Sequence, residues 1–335
     1  MRAGGHYDVV NSNHTIGDQT GWGDCAPLTI SKLDSDGGRI TGGANPNNYW
    51  YNYRVDYLDS DGFTHLSPDI GMDRLDVDYG TIAASRTNPS RPYVDIPVNI
   101  LELRDIGRTL MRQGFDSIAA LGRQNLRYQF GIAPLIGDLV KLVNFQDQVQ
   151  RRIQIMERLE DTNGYRRTLG VGAWSKSASY SRVMQSNQFF FTDTIHQTTT
   201  QRIRAHIRWL PNPVFRTLTI PDRQRLAMRA VLGLTVDAST LWNAIPWTWL
   251  VDWCSSAGDF FTATRNIIPA TLSGLHIMRE TRSTFRNQGN IYCTPLRVTR
   301  ISKTRNPTFV APVAHFPFLS PGQMSILGSL AVTRR

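Results

Sequence analysis

Leu241-Trp242-Asn243-Ala244-Ile245-Pro246-Trp247-Thr248-Trp249-Leu250-Val251-Asp252-Trp253 holds four of the chain's eight tryptophans. Pro246 suits the first position of a helix, where its missing N–H costs no bond and its φ is already helical. From there Trp247, Leu250, Val251, Cys254, Ala257, Phe260 and Phe261 recur at spacings of three and four, which predicts one continuous helix running to about Arg265. Trp249, Asp252 and Trp253 lie beside that stripe, so the helix is expected to meet more than one neighbour. Each buried tryptophan removes roughly 150–250 Å² from water, and Trp242, Pro246, Trp247, Trp249, Asp252 and Trp253 are therefore read as a structural core. Asp252 is expected to pair with an arginine of a neighbouring helix, and Cys254 to be a small core residue.

Outward from this segment, Pro221 opens a helix carrying Arg223, Arg225 and Arg229 to about Leu234, and Asp237 caps the next one. Upstream, Leu103, Ile106, Leu110, Ile118 and Leu121 make a helical stripe, with Arg104, Arg108 and Arg112 repeating every four residues on another face. Like charges at that spacing repel by a few tenths of a kcal/mol per pair. Such a row is tolerable in solvent and useful against a phosphate backbone. Arg123 and Arg127 follow, and Pro134 opens a helix to about Leu159, on the order of 40 Å long. Lys141, Arg151, Arg152 and Arg158 lie off its apolar line.

β patterns fill the rest. Residues 1–96 are rich in Gly, Asn, Asp and Tyr and read as irregular β structure, with turns at Asp34–Gly38 and Asp59–Gly62. These Asp-x-Asp-Gly pieces lack the later acidic ligand of a calcium loop. Between 165 and 216 the clearest strand is Arg202–Trp209: Ile203, Ala205, Ile207 and Trp209 on one face, Arg202, Arg204, His206 and Arg208 on the other. Its partner is expected within Leu169–Val183 or Gln188–Thr194, as a long hairpin. Residues 275–310 alternate like strands with many arginines, Asn306–Pro317 is a linker, and Ser320-Pro321 caps a C-terminal helix. The expected fold class is α+β and elongated, a roughly four-helix bundle region plus an antiparallel β-sheet region. Its segments are 1–96 (β-rich), 97–162 (helical), 163–218 (β-hairpin), 219–268 (helical, tryptophan-rich), 269–318 (strands and linker) and 319–335 (short helix).

The net charge of +10 is unevenly spread. Residues 1–96 carry 7 Lys+Arg against 13 Asp+Glu, a net of −6, whereas 97–335 carry 30 against 14, a net of +16. Arginines number 33 and lysines 4. Arginine's planar fork grips phosphate with two parallel hydrogen bonds and stacks on bases, so this balance points to nucleic acid on the basic part. No apolar run follows Met1, so no secretory signal is expected. No run of about 20 apolar residues exists, so no membrane span is expected. Three scattered cysteines fit a reducing compartment.

Phosphate-loop, HExxH, GxSxG and Cys-x-x-Cys patterns are absent, and the seven histidines do not fall at ligand spacing. No catalytic residue, metal or cofactor is expected.

Pro246-Trp247-Thr248-Trp249-Leu250-Val251-Asp252-Trp253 resembles the proline–aromatic–Ser/Thr–aromatic–hydrophobic–Val-Asp-Trp signature of the maturation proteins, or A proteins, of small single-stranded RNA bacteriophages (levivirus-type). Asn125-Leu126-Arg127-Tyr128-Gln129-Phe130-Gly131-Ile132-Ala133-Pro134-Leu135-Ile136 is similar to a second segment of that family, in the same order and separation, and Ser320–Val332 is a fainter match. The resemblance implies a single copy in the virion replacing a coat-protein dimer of the capsid. It also implies a helical region holding the viral genomic RNA, a β region binding a bacterial pilus, and entry into the host with the RNA. On that reading the protein is made in the host cytoplasm. The RNA-binding residues would be Arg104, Arg108, Arg112, Arg123, Arg127, Lys141, Arg151, Arg152 and Arg158, then Arg223, Arg225 and Arg229. The receptor-binding residues would be Asp34, Asp36, Asp59 and Asp61 in acidic turns. The alternative reading is a cellular RNA-binding or RNA-processing protein with a helical bundle. A membrane-interface role for Trp242–Trp253 is disfavoured by Asp252 in its middle.

Overall fold

The computed structural model describes residues 27–37, 63–93, 145–186, 189–234, 237–244, 248–289, 295–314 and 321–333. They form an α+β structure whose largest element is a five-stranded antiparallel sheet, in the order β1-β5-β4-β3-β2. The strands are β1 (Leu28–Gly37), β2 (Tyr165–Ser186), β3 (Phe189–Pro211), β4 (Ala270–Arg286) and β5 (Leu296–Pro307). The helices are α1 (Asp76–Thr87), α2 (Phe145–Glu160), α3 (Pro213–Arg216), α4 (Ile220–Leu232), α5 (Ala238–Ala244), α6 (Thr248–Cys254), α7 (Ala257–Ala263) and α8 (Pro321–Thr333). No described helix is long and apolar enough to cross a membrane.

The chain divides into two compact units. The first comprises Met1–Asp76, Thr168–His206 and His276–Thr308. Its described part is built on the sheet, where strand alternation sends successive side chains to opposite faces. On the inner face Ile195, Phe285, Leu296 and Val298 are buried with Phe63, and Leu33 and Tyr180 pack against them. The Phe63 and Phe285 rings meet edge-on at 4.8 Å. The segment from Phe63 to Asp76 covers this face with polar clasps. Arg300 donates to the Phe63 carbonyl, the Gln197 amide to that of Thr64, and the Leu66 amide to the Thr199 hydroxyl. Arg279 reaches Asp73 and Asp76 together.

The second unit comprises Val77–Arg167, Ile207–Leu275 and Phe309–Arg335. Its organiser is Asn88, which is buried. The side-chain amide of Asn88 donates to the carbonyls of Thr262, Ala263 and Arg265, and its side-chain oxygen accepts from the Ser90 amide. Buried donors and acceptors cost free energy when unpaired, so one asparagine ties the end of α1 to the end of α7. Arg265, also buried, forms an ion pair with Asp237 at 2.6 Å. Asp237 also accepts the Thr240 amide at 3.0 Å and so caps α5.

Three expectations are corrected here. Asp34–Gly37 is not a turn: β1 pairs residue by residue with β5 from Leu28↔Arg305 to Gly37↔Leu296. A partner strand supplies hydrogen bonds that outweigh the turn preference of Asp, Ser and Gly. The 1–96 segment is not only β, because α1 lies within it. Last, the tryptophan helix is not continuous: Ser255 and Ser256 break it into α6 and α7. Ser255 pairs as a β-bridge with Ala314, and Ser256 exchanges backbone and hydroxyl bonds with Val313. Val251 and Cys254 are consequently exposed rather than in a core.

Candidate nucleic-acid interface

The described part of the expected RNA surface is the pair α2 and α4, which pack on each other. Sequence chemistry defines α4 at both ends. Thr219 and Asp222 form a capping box, Pro221 sits in the first turn, and Gly233 closes the helix at φ 62°. The Thr219 hydroxyl and amide hold the Asp222 carboxyl below the usual aspartate range. Small residues (Ala227, Ala230 and Val231) line the buried side of α4, and Met156 and Leu159 the buried side of α2.

The six expected arginines of these helices separate into two kinds. Arg152 is turned into the protein: its guanidinium donates to the carbonyls of Pro89 and Arg91, each at 2.6 Å. Burial pushes its pKa down to about 10, so it still carries its charge at neutral pH. Arg223 pairs with Glu160 at 2.6 Å and lies 5.0 Å over the Phe215 ring. Both side chains fasten one element to another. Arg151, Arg158, Arg225 and Arg229 are exposed. Of these, Arg225 lies 3.9 Å from Asp222.

Helix geometry places Arg151 and Arg158 two turns apart on one side of α2, and Arg225 and Arg229 one turn apart on α4, about 6 Å along the axis. The exposed neighbours Gln150, Gln154 and Gln224 add amide donors and acceptors, while Asp147 and Glu157 keep α2 from being uniformly basic. Such a surface can make charge-assisted contacts to phosphate and hydrogen bonds to sugar or base. Arg104, Arg108, Arg112, Arg123, Arg127 and Lys141 lie outside the described residues.

The tryptophan segment has a local role that its sequence hid. Among the described residues Asp252 has no arginine partner. It accepts the Trp242 indole N–H at 3.2 Å and the Gly258 amide at 2.9 Å. Gly258 is the second residue of α7, and Ser256 makes no side-chain cap. The Asp252 carboxylate therefore serves as the N-terminal cap of α7, where the helix dipole favours an anion. A β-carbon on Gly258 would sit 2.8 Å from that carboxylate, which would have to shift from its capping position to admit it. Trp242 packs on Phe261 with ring centroids 5.1 Å apart, and Trp253 is half-buried. Pro246 and Trp247 lie outside the described residues, as does the side chain of Trp249.

Of the expected receptor residues, Asp34 lies in β1, half-buried and 3.2 Å from Lys32, and Asp36 lies in the same strand. Asp59 and Asp61 fall outside the described residues. Among the described residues no group of three or more His, Cys, Asp or Glu could hold a metal ion. No protein-family model and no curated protein matches the sequence.

Proposed function

We propose that the chain is a maturation protein of a small single-stranded RNA bacteriophage. One copy sits in the virion in place of a coat-protein dimer, holds the genomic RNA through its helical region, and binds a bacterial pilus through its β region. The protein then accompanies the RNA into the host. The finer architecture, an elongated molecule with a roughly four-helix bundle, belongs to the same proposal. It would join α2 and α4 to the helices expected between 97 and 144.

Two sequence segments carry the resemblance. The observation that carries RNA binding is the exposure of Arg151, Arg158, Arg225 and Arg229 on α2 and α4, without strong acidic partners among the described residues. Exposed arginines keep donors available to a ligand, and phosphate contacts lose affinity steeply as salt rises. Selection of one genome would come from stem-loop shape and splayed bases.

The experiment is purification of particles from an infected lysate, with quantitative mass spectrometry of the sedimented fraction. One copy per particle, crosslinked to RNA through α2 and α4 peptides, is the expected result. Protein remaining in the supernatant, free of coat protein, would instead make it a cellular RNA-binding protein.

A further inference from the structure

The two faces of the sheet are built for different neighbours. Arg279 and Arg300 point to the inner face and are consumed by Asp73, Asp76 and the Phe63 carbonyl. The residues next to them in sequence point the other way. The strand register sets Leu28, Arg305 and Met278 in one row across β1, β5 and β4, and Ile30, Lys303 and Glu280 in the next. A third row reads Lys32, Ile301 and Arg282, and a later one Asp36, Arg297 and Arg286.

On this outer face Arg202, Arg204, Arg282, Arg286, Arg297 and Lys303 are exposed. Among the described residues the acidic side chains here are fewer, Asp34 beside Lys32 and Glu280 at 3.9 Å from Lys303. Arg286 and Arg297 stand directly opposite one another, an arrangement that costs stability unless an anion lies between or above them. Near one end of the face is a groove of about 200 Å³. Leu28, Ile30 and Met278 line it, with Arg202, Arg204, Lys303 and Arg305 around them and the Glu280 carboxylate as the one acid of its described lining.

We propose that this outer face is a second RNA-binding surface, and that its groove takes one unpaired nucleotide. The base lies against Leu28, Ile30 and Met278, and the flanking phosphates meet Arg202, Arg204 and Arg305. Guanidinium planes and apolar side chains both accept the face of a base, whatever its identity. Same-face residues on a strand lie about 6.7 Å apart and neighbouring strands about 4.8 Å apart, so the cations form a grid along which a flexible polyanion can run. The helical surface plays no part in this inference, which shifts a share of the RNA contact onto the β region.

The test uses the full chain and a fluorescent 20-nucleotide unstructured RNA, with binding followed by anisotropy across a salt series. The variants are Arg202→Gln/Arg204→Gln on the sheet and Arg225→Gln/Arg229→Gln on α4. Circular dichroism confirms that each keeps its fold. Losing two single-strand contacts should lower the salt slope by about 1.4, so that between 50 and 200 mM salt the sheet variant's affinity falls about sevenfold less than wild type's. Arg202→Lys/Arg204→Lys should keep the slope but bind more weakly at every salt, because lysine lacks the fork. An unchanged slope and affinity in the sheet variant overturns the inference, even if the α4 variant loses binding. Equal displacement of the RNA by poly-glutamate also overturns it, because the face would then be a site for acidic protein.

Discussion

Asp237→Asn should destabilise the second unit by about 3 kcal/mol, the lower end of the range for leaving one partner of a buried ion pair alone. The structure sets this value through three features. The Arg265 side chain is completely buried, so its charge cannot turn to water when the carboxylate goes. Its bonds to the Gly233 carbonyl and the Thr240 hydroxyl, each 3.4 Å long, are weaker than the 2.6 Å ion pair with Asp237. Asp237 is itself partly open to solvent, which holds the figure at the lower end. Asparagine caps a helix about as well as aspartate, so this substitution removes the charge and keeps the Thr240 amide satisfied. Asp237→Ala removes both and should cost about 1 kcal/mol more. Arg265→Met should cost less than Asp237→Asn, because the remaining carboxylate can hydrate. Equilibrium urea unfolding followed by tryptophan fluorescence measures all three. A loss of 3 kcal/mol is about a hundredfold in the unfolding equilibrium. If Asp237→Asn stays within about 1 kcal/mol of wild type while Asp237→Ala does not, the residue acts as a cap and the buried pair contributes nothing.

Two further substitutions probe the same unit. Gly164 has φ 66°, and a β-carbon there would run into the Trp209 carbonyl and the Leu210 side chain. Gly164→Ala should therefore lower the unfolding free energy by more than the roughly 1–2 kcal/mol of left-handed strain alone, and a thermal melt unchanged within error would refute this. Burial pushes the Asp259 carboxyl above the usual aspartate range, against smaller opposing effects of Ser85, Arg86 and Arg91. The folded state then holds the proton more tightly than the unfolded one, so this group's contribution to stability falls as pH rises from the ordinary aspartate pKa through the folded value. Asp259→Asn should thus gain on wild type between pH 4 and pH 7 in urea midpoints; a relative loss over that interval would contradict the assignment.

Several elements are written locally in the sequence. The alternation of Arg202–Trp209 appears directly as burial of Ile203, Ala205, Ile207 and Trp209 in β3. Thr219, Pro221, Asp222 and Gly233 mark both ends of α4, and Asp237 marks the start of α5. What stayed hidden is decided by distant residues. Asp78, Tyr79, Gly80, Thr81, Ile82, Ala83, Ala84 and Ser85 are all buried in α1, so that helix has no polar face and leaves no stripe to find. The break between α6 and α7 is invisible because the apolar spacing continues across it. Its cause, the pairing of Ser255 and Ser256 with Ala314 and Val313, comes from nearly sixty residues downstream.

The arginines show most clearly why counting charge along a chain does not locate a binding face. Arg151 and Arg152 are adjacent on one helix, yet the first is exposed and the second gives its donors to the carbonyls of Pro89 and Arg91. Arg279 and Arg282 share a strand, yet the first is spent on Asp73 and Asp76 while the second faces solvent. In each case a short offset in sequence rotates the guanidinium from a protein partner to open water. A buried acceptor left without its donor costs free energy, so the inward arginines must stay engaged with the protein and are unavailable to a ligand. The outward ones have no such obligation, and the repulsion within rows such as Arg286 and Arg297 would be relieved by a bound polyanion. Under the proposed function, the arginines open to RNA are the exposed ones, and these lie both on α2 and α4 and on the outer face of the sheet.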